Sequence, residues 1–491
     1  MVSFSKDETF TLRRVKQCKA HHSLTDTDYT YCMSYQEVRY ELLPRRADPC
    51  GTEVWLWPRL GQQTLPLSNQ LDEAGYIHPA IQALPSTEEI LAQFGHNQAQ
   101  RAKVKNDDVQ KRELQKQIQA FFRQHYRQQV EARHQQSLHT PYGFQERLIQ
   151  FWSNHFAISV DNRRLMPFAS RIENDVVRQY WNGNFSDMLL GVTRHPAMLM
   201  YLDNQVSAGP NSKLGKRRGK GLNENLAREI LELHTLGVDS SYTQQDVIEL
   251  AKAISGWSIK LKAPNVGFRF VPNMHEPGAV TVMGKTYAQK GTEQGEACLK
   301  TLALHSDTAK HLTQKLCQHF FGETPPALQE KMVDAYLKSK GDLQPVYRVL
   351  IDSEQAKSAK PMRYRMPKEW MFAVLRSAQI DINDKQAFNA LNALGQAPFK
   401  PGSPAGWPDR DKDYNSPSAL TQRLQIANML AAKTVKNAKT KGIKPHKVVD
   451  EVITRLYHSD LDEHTRLVLN KTKNPMMQLS LLWLSPQFQY R

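Results

Sequence analysis

The chain is poor in cysteine and has no ordered arrangement of it. Its five cysteines, Cys18, Cys32, Cys50, Cys298 and Cys317, form no Cys-x-x-Cys pair and leave one thiol over. Neither a zinc ribbon nor a complete disulfide framework is therefore indicated, and reduced structural thiols are expected, with one bridge among Cys18, Cys32 and Cys50 open to an exported protein. No run of about eighteen apolar residues occurs, so no integral membrane segment is expected. The opening Met1-Val-Ser-Phe-Ser-Lys-Asp-Glu-Thr-Phe10 has no basic region ahead of an apolar stretch and no twin-arginine leader. As written, the chain is expected in the cytoplasm; if a leader is missing, it is expected in the periplasm or outside the cell. Also absent are a Gly-x-Ser-x-Gly elbow, a Gly-x-x-x-x-Gly-Lys-Ser/Thr phosphate loop and a Gly-x-Gly-x-x-Gly after a strand, which leaves no motif for a serine hydrolase or a nucleotide-binding enzyme.

What the chain does have is basic charge in clusters. The formal charge of +16 gathers at Lys213, Lys216, Arg217, Arg218 and Lys220, around a Gly-containing loop, and at Lys433, Lys436, Lys439, Lys441, Lys444 and Lys447. Either cluster suits an acidic polymer or an acidic partner protein, and either is equally readable as a solvated face. No aromatic residue interleaves them, which argues against base stacking.

A length of 491 residues allows two or three domains. Residues 1–80, with Pro44, Pro49, Pro58 and Pro66 and strand-like runs such as Val54-Trp-Leu-Trp57, read as a mixed N-terminal extension. Residues 81–491 read as a largely helical domain. The fold class expected is mainly α: an irregular multi-helix globular body with a small β-hairpin. One or two long solvated helices are expected over Gln98–Gln136 and an aromatic core helix over Gln145–Phe156. Others are expected over Leu165–Trp181 and Phe185–Leu190, from Pro196 into Asp203, from a Thr243 cap to Trp257, and over Thr308–Phe321 and Glu369–Ser377. The hairpin is placed at Phe268–Pro272 and Ala279–Gly284, joined by residues 273–278. Residues 395–408, rich in Gly and Pro, read as an ordered loop anchored by Phe399 and Trp407.

The densest chemistry lies in Asn223-Glu-Asn-Leu-Ala-Arg-Glu-Ile-Leu-Glu-Leu-His-Thr-Leu-Gly237, read as a helix with Asn223 as cap and Gly237 beyond its end. At about 100° per residue, Asn225, Arg228, Glu229 and Glu232 share one face, while His234 falls on the apolar one. This block, with Phe151-Trp-Ser-Asn-His-Phe156, Arg194-His-Pro-Ala-Met-Leu199, Tyr201-Leu-Asp-Asn204, Tyr242-Thr-Gln, Ile254-Ser-Gly-Trp257 and Gly406-Trp-Pro408, resembles the bacterial family catalogued as domain of unknown function 1800 over about residues 140–425. The resemblance implies a largely helical fold, an export signal in many members and, for many, a neighbouring protein resembling sulfatases or alkaline phosphatases, so a sulfatase-like partner protein is a candidate. The chain departs from the family pattern at Ser153, where a second histidine is common, and at Glu276, where aspartate is usual.

From the residues themselves, an enzyme of unknown reaction is expected, with a polar pocket built from the Asn154-His155, Asp203-Asn204 and Asn225–His234 blocks. Glu229 or Glu232 is the acid/base candidate, Arg228 the anion-binding or orienting group, and His155 a ligand or proton carrier. Arg194-His195, at the start of the Pro196 helix, is a candidate to bind an acidic group. His155, His195, Asp203, His234 and Glu229 or Glu232 would suit a divalent metal, although no metal-ligand pair falls on one helix. The opposing reading is a set of structural ion pairs, with Arg228 between Glu224 and Glu232 and His234 a core histidine. The alternative function is a binding or assembly protein that uses Lys216, Arg217 and Arg218.

Overall fold

The computed structural model describes residues 67–490, apart from Ala74, Lys220, Ala263, residues 358–362 and residues 458–459. Most of the expected N-terminal extension, including Val54–Trp57, Cys18, Cys32 and Cys50, lies outside the described residues, as does Lys220. The described chain is mainly α, with two small antiparallel sheets.

Local signals start many of the helices. Ser86 and Glu89 close a capping box at Thr87–Lys103, and Asp107 accepts from the Val109 and Gln110 amides to start the long helix Asp108–His139. The polar segment read over Gln98–Gln136 is thus two helices. The second becomes buried toward its end, at Gln129, Val130, His134, Gln136 and Leu138. Its last carbonyls are satisfied from afar: Arg376 Nη1 donates to the carbonyls of Ser137, Leu138 and Thr140 at 3.2, 3.0 and 3.1 Å. A cation at a helix C-terminus also complements the helix dipole.

Two large apolar cores form, and the end of this long helix joins the second through Leu138. The larger gathers Trp152, Phe156, Phe185, Leu226, Ile230, Trp257 and Leu316, with Leu67 and Leu71 of the Leu67–Asp72 helix. The second gathers Leu138, Trp370, Leu375, Leu430, Val452 and Trp483. The elements around Arg133, Arg147, Lys368 and residues 396–407 lie where the two cores meet.

The helix begun by Thr243 stops at Ala253 rather than Trp257. Gly256 has φ +79°, and a Cβ there would lie 2.7 Å from the Val271 carbonyl oxygen, so the chain turns at Gly256 and Trp257 opens a strand. Strand β1 (Trp257–Lys260) pairs with β2 (Gly267–Phe270), and β3 (Val280–Val282) with β4 (Lys285–Tyr287), both antiparallel. The single expected hairpin is therefore two. Its two strands exist as β2 and β3, but each pairs with its nearer neighbour. Met283 and Gly284, at φ 49° and 72°, form the two-residue link between β3 and β4, a turn with positive φ at both centres that matches the twist of a short hairpin. Its Met-Gly sequence hides the usual Asn-Gly signal.

Candidate functional site

Five segments converge on a small solvent-connected cleft, with room of about 60 Å³, at the junction of the two cores. Arg133 comes from the long helix, Arg147, Ser153 and Asn154 from Gly143–His155, Glu173 from the turn after Ile172, Lys368 and Glu369 from the start of Pro367–Ala378, and Gln396, Phe399 and Trp407 from the Gly/Pro-rich loop. Residues 395–408 are the ordered loop expected. Asn154 holds this loop, its Nδ2 donating to the Trp407 carbonyl at 2.9 Å and its Oδ1 accepting from the Trp407 amide at 2.8 Å. Gly406 has φ +83°, and a Cβ there would collide with the Asn154 carbonyl oxygen. The Gly406-Trp407 step thus has to come this close to form the wall.

The charges in and behind the cleft are unequally partnered. Arg178 forks onto Glu146 at 2.8 and 3.0 Å and reaches Glu173 at 3.2 Å. Arg133 Nη2 meets the other Glu173 oxygen at 2.8 Å. Glu146 also accepts from Gln136 and Gln150 at 3.1 and 3.0 Å. Burial pushes the Glu146 carboxyl up, but the Arg178 charge and these donors outweigh it and hold it below the usual range. Glu369 accepts from the Met366 amide at 3.0 Å, closing the start of its own helix, and faces Arg147 at 3.8 Å. Burial raises this carboxyl too, and Arg363 and Arg147 reverse the effect. Both carboxylates of the cleft are thus well engaged.

Lys368 is different. Its amine has no hydrogen bond or ion pair among the described residues, and the residue lines both this cleft and an adjoining one of about 50 Å³. Burial, then the nearby Arg133 charge, pushes the amine down to about 7, with Glu173, Glu369 and Glu146 only partly offsetting them. Its place in the first turn of a helix, at the positive end of the dipole, acts in the same direction. Arg133 Nε is also buried without a hydrogen-bond partner, and the Arg133 guanidinium stacks 4.5 Å from the Phe399 ring centroid.

Of the candidate catalytic and binding residues chosen from the sequence, Asn154 lines this cleft and the others do not, although Ser153 and the loop anchors Phe399 and Trp407 do. Asp203 is exposed at φ 55°, just past a Pro196 helix that ends at Tyr201. Asn204 is fully buried, donating to the Ile254 and Trp257 carbonyls at 3.3 and 3.1 Å. Asn225 is exposed. Arg228 sits at the surface between Glu224 (3.2 Å), Glu232 (3.4 Å) and Gln244 (2.7 Å). Glu229 is raised by burial and by Glu232, and burial, aided by the Glu229 charge, raises the Tyr201 hydroxyl to about 12. Among the described residues these blocks do not come together at this cleft: helical periodicity reports a face, and these faces point partly into the aromatic core and partly into solvent.

His195 spends both ring nitrogens on structure. Nδ1 caps the Ala197 amide at 3.1 Å and Nε2 donates to Asp175 at 3.2 Å. Its position at the helix start is as expected, but the anion it meets is an internal carboxylate.

The Asn223 block also departs from a regular helix. Asn225–Glu229 is α-helical, but Ile230–His234 is a π turn, and widening the coil in this way frees carbonyls that a regular helix would use. His155 Nε2 donates to the His234 carbonyl at 3.1 Å and His311 Nε2 to the Leu233 carbonyl at 3.0 Å. The His155 ring lies amid Trp152, Phe156 and Phe185. Burial, reinforced by Lys315, holds all three histidines neutral: His234 falls to about 3, His311 to about 4 and His155 well below its ordinary value. Gly237, at φ +95°, ends the segment as expected. Among the described residues no three His, Cys, Asp or Glu side chains converge to hold a metal ion.

Lys213, Lys216 and Arg217 are exposed on a short helix, Lys213–Arg218, capped by Ser212. Glu276, the departure from aspartate, is buried and accepts from the Asn211 amide and side chain at 2.8 and 2.6 Å, fixing the loop that precedes this helix. No described helix is long and apolar enough to cross a membrane.

Sequence reasoning missed Arg133, Arg147, Glu173, His319, Lys368 and Glu369. One signal was present: Arg147 stands inside an otherwise aromatic helical pattern, where a charge must find a buried partner.

Residues 59–490 match a family model described as "Protein of unknown function (DUF1800)". Neither curated proteins nor solved structures give a match.

Proposed function

Because the chain belongs to the DUF1800 family of proteins of unknown function, a kinship that brings no activity with it, we propose from the site alone that the cleft at the core junction is the active centre of an enzyme acting on a small molecule with an anionic group. The observation that carries this reading is the convergence of Arg133, Arg147 and Lys368 from three separate helices on one solvent-connected space. The two carboxylates of that space are already engaged with Arg178, Arg133 and Arg147. An incoming carboxylate or phosphate would supply the counter-charge that Lys368 lacks, and guanidinium groups are suited to hold it. Within this proposal Arg133 and Arg147 bind and orient, Lys368 holds or releases the proton, and Asn154 keeps the Trp407 wall in place. The Arg228, Glu229 and Glu232 face is assigned surface pairing, and His155 and His234 the support of the π turn.

Thermal unfolding with phosphate, sulfate or pyruvate tests this reading. A ligand that binds the folded state raises the midpoint with concentration. The expected outcome is a saturable rise in the wild type that is lost in Lys368→Met. An equal rise in both proteins, or none in either, rejects the cleft as an anion site.

The exposed Lys213, Lys216 and Arg217, none of which makes an ion pair among the described residues, favour a second reading, in which the basic helix engages an acidic polymer or an acidic partner. Salt-dependent retention on heparin that disappears when Lys216, Arg217 and Arg218 are changed to alanine supports it; retention unchanged by these substitutions rejects it. Co-purification tests the sulfatase-like partner implied by kinship, and a consistently solitary protein counts against it.

A further inference from the structure

We propose that Lys368 is a nucleophile that forms an imine with small aldehydes or ketones carrying a carboxylate. The inference rests on the reading of the cleft as an anion site and goes beyond it, by assigning the amine a covalent step and the ligand a carbonyl group.

Three features of the geometry support it. Lys368 lines the cleft and its amine has no ion pair or hydrogen bond among the described residues, so its lone pair is not committed to a neighbour. Its backbone is fixed, since the Lys368 amide donates to Gln396 Oε1 at 2.8 Å and Pro367 precedes it at the helix start. Arg133 lines the same two clefts with an unpartnered, buried Nε, which places a guanidinium beside the amine to receive a carboxylate. The charged groups that face the amine are Arg133, Glu173, Glu369 and Glu146, and the balance of burial and charge leaves a large share of it unprotonated near neutral pH. Unprotonated amine is the reactive form, and burial is a known route to it.

In the step itself, the Lys368 nitrogen lone pair attacks the carbonyl carbon, forming the C–N bond while the C=O π pair moves to oxygen. A proton passes from nitrogen to that oxygen and a second is taken from solvent. The C–O bond then breaks, water leaves, and the nitrogen lone pair completes the C=N bond of a cationic imine. No oxidant or reductant is required.

The test treats the full-length protein with glyoxylate, or with acetaldehyde as the neutral counterpart, reduces any imine with borohydride, and maps the modified lysines by peptide mass spectrometry across pH 5–10. The expected result is labelling of Lys368 by glyoxylate roughly tenfold or more faster at pH 7.5 than that of the exposed Lys439, Lys441 and Lys447, because a neutral amine near pH 7 has a large population advantage over an ordinary lysine. Its labelling should be half-maximal near pH 7, and acetaldehyde should label it more slowly. Labelling of Lys368 no faster than that of the exposed lysines overturns the proposal. Equal labelling by both aldehydes overturns its carboxylate specificity. If pyruvate or phosphate stabilises the wild type but not Lys368→Met, and Lys368 still resists trapping, the anion site stands and the imine step alone fails. The wild-type map requires no substitution, so misfolding of a variant cannot decide the outcome.

Discussion

Two arginines in this molecule stand between two glutamates, and they illustrate opposite regimes. Arg228 lies between Glu224 and Glu232 on one helix, one turn to either side, with the arginine side chain 36% exposed and the glutamates 33% and 27%. Arg178 lies between Glu146, thirty-two residues away in the chain, and Glu173, with exposures of 5%, 1% and 1%. The residue types and contact distances are similar. At the surface, water and salt screen the charges and ordering the long side chains offsets much of the attraction, so such a pair contributes about 0–1 kcal/mol. In the interior each charge has lost its hydration and depends on its partners, so removing one leaves another uncompensated. The lesson is that the conspicuous local pattern is the energetically minor one.

The sharpest way to break this comparison is to remove both arginines in parallel. Arg178→Met is expected to lower stability by about 3–5 kcal/mol, because Glu146 and Glu173 stay buried with their charge poorly compensated; denaturant unfolding measures it, and a loss as small as that of Arg228→Met would sink the contrast. Acid extends the comparison to the buried histidines. His234 and His311, at about 3 and about 4, are neutral in the folded state at pH values where the unfolded chain, with an ordinary histidine value of 6.5, takes up protons. Their contribution is complete above pH 6.5 and declines as the pH falls toward 4, by at most about 1.4 kcal/mol per pH unit for each group. Unfolding curves at pH 7.5 and pH 5 check this, and His311→Asn should flatten the dependence; equal stability at the two pH values would contradict it.

A smaller effect is expected where buried and exposed regions meet. Asn154→Ala removes both hydrogen bonds to the Trp407 backbone and should cost about 1–3 kcal/mol. Hydrogen exchange should show the Trp407 amide opening faster while amides of the Trp370 helix are unchanged. If both accelerate together, the wall is not a local device. The smallest effect belongs to Arg228→Ala, expected to lower stability by no more than about 1 kcal/mol, less at high salt. A larger loss would mean that this surface pairing supports something deeper.

Much of the helical frame was legible because its signals are local. Thr243 with Asp246, Pro196 at a first turn and Gly237 after a last one each act on backbone groups within a few residues. The candidate site was legible only at Asn154. Arg133, Glu173 and Lys368 sit in segments that read as ordinary polar or helical sequence, and the segments they meet in the cleft lie far away in the chain; Arg178, five residues beyond Glu173, is the one near partner among them. The π turn at Ile230–His234 was hidden as well, because its carbonyls are claimed by His155 and His311 from other helices. Strand pairing failed for a related reason: β2 and β3 were recognisable, but the turns at Gly256 and Met283-Gly284 decided their partners.

From the amino-acid order alone came the mainly helical class, the family kinship, the ordered loop ending at Trp407 and the placement of basic charge in two clusters. All of these follow from short-range backbone chemistry, periodicity and composition. Only the tertiary structure decided which charges are buried together, which histidines stay neutral and where a cleft opens, because desolvation and Coulomb attraction act through space and are set by segments far apart in the chain. An arginine that meets two glutamates has the same chemistry wherever it lies; its surroundings determine whether it decorates a surface or holds an interior together.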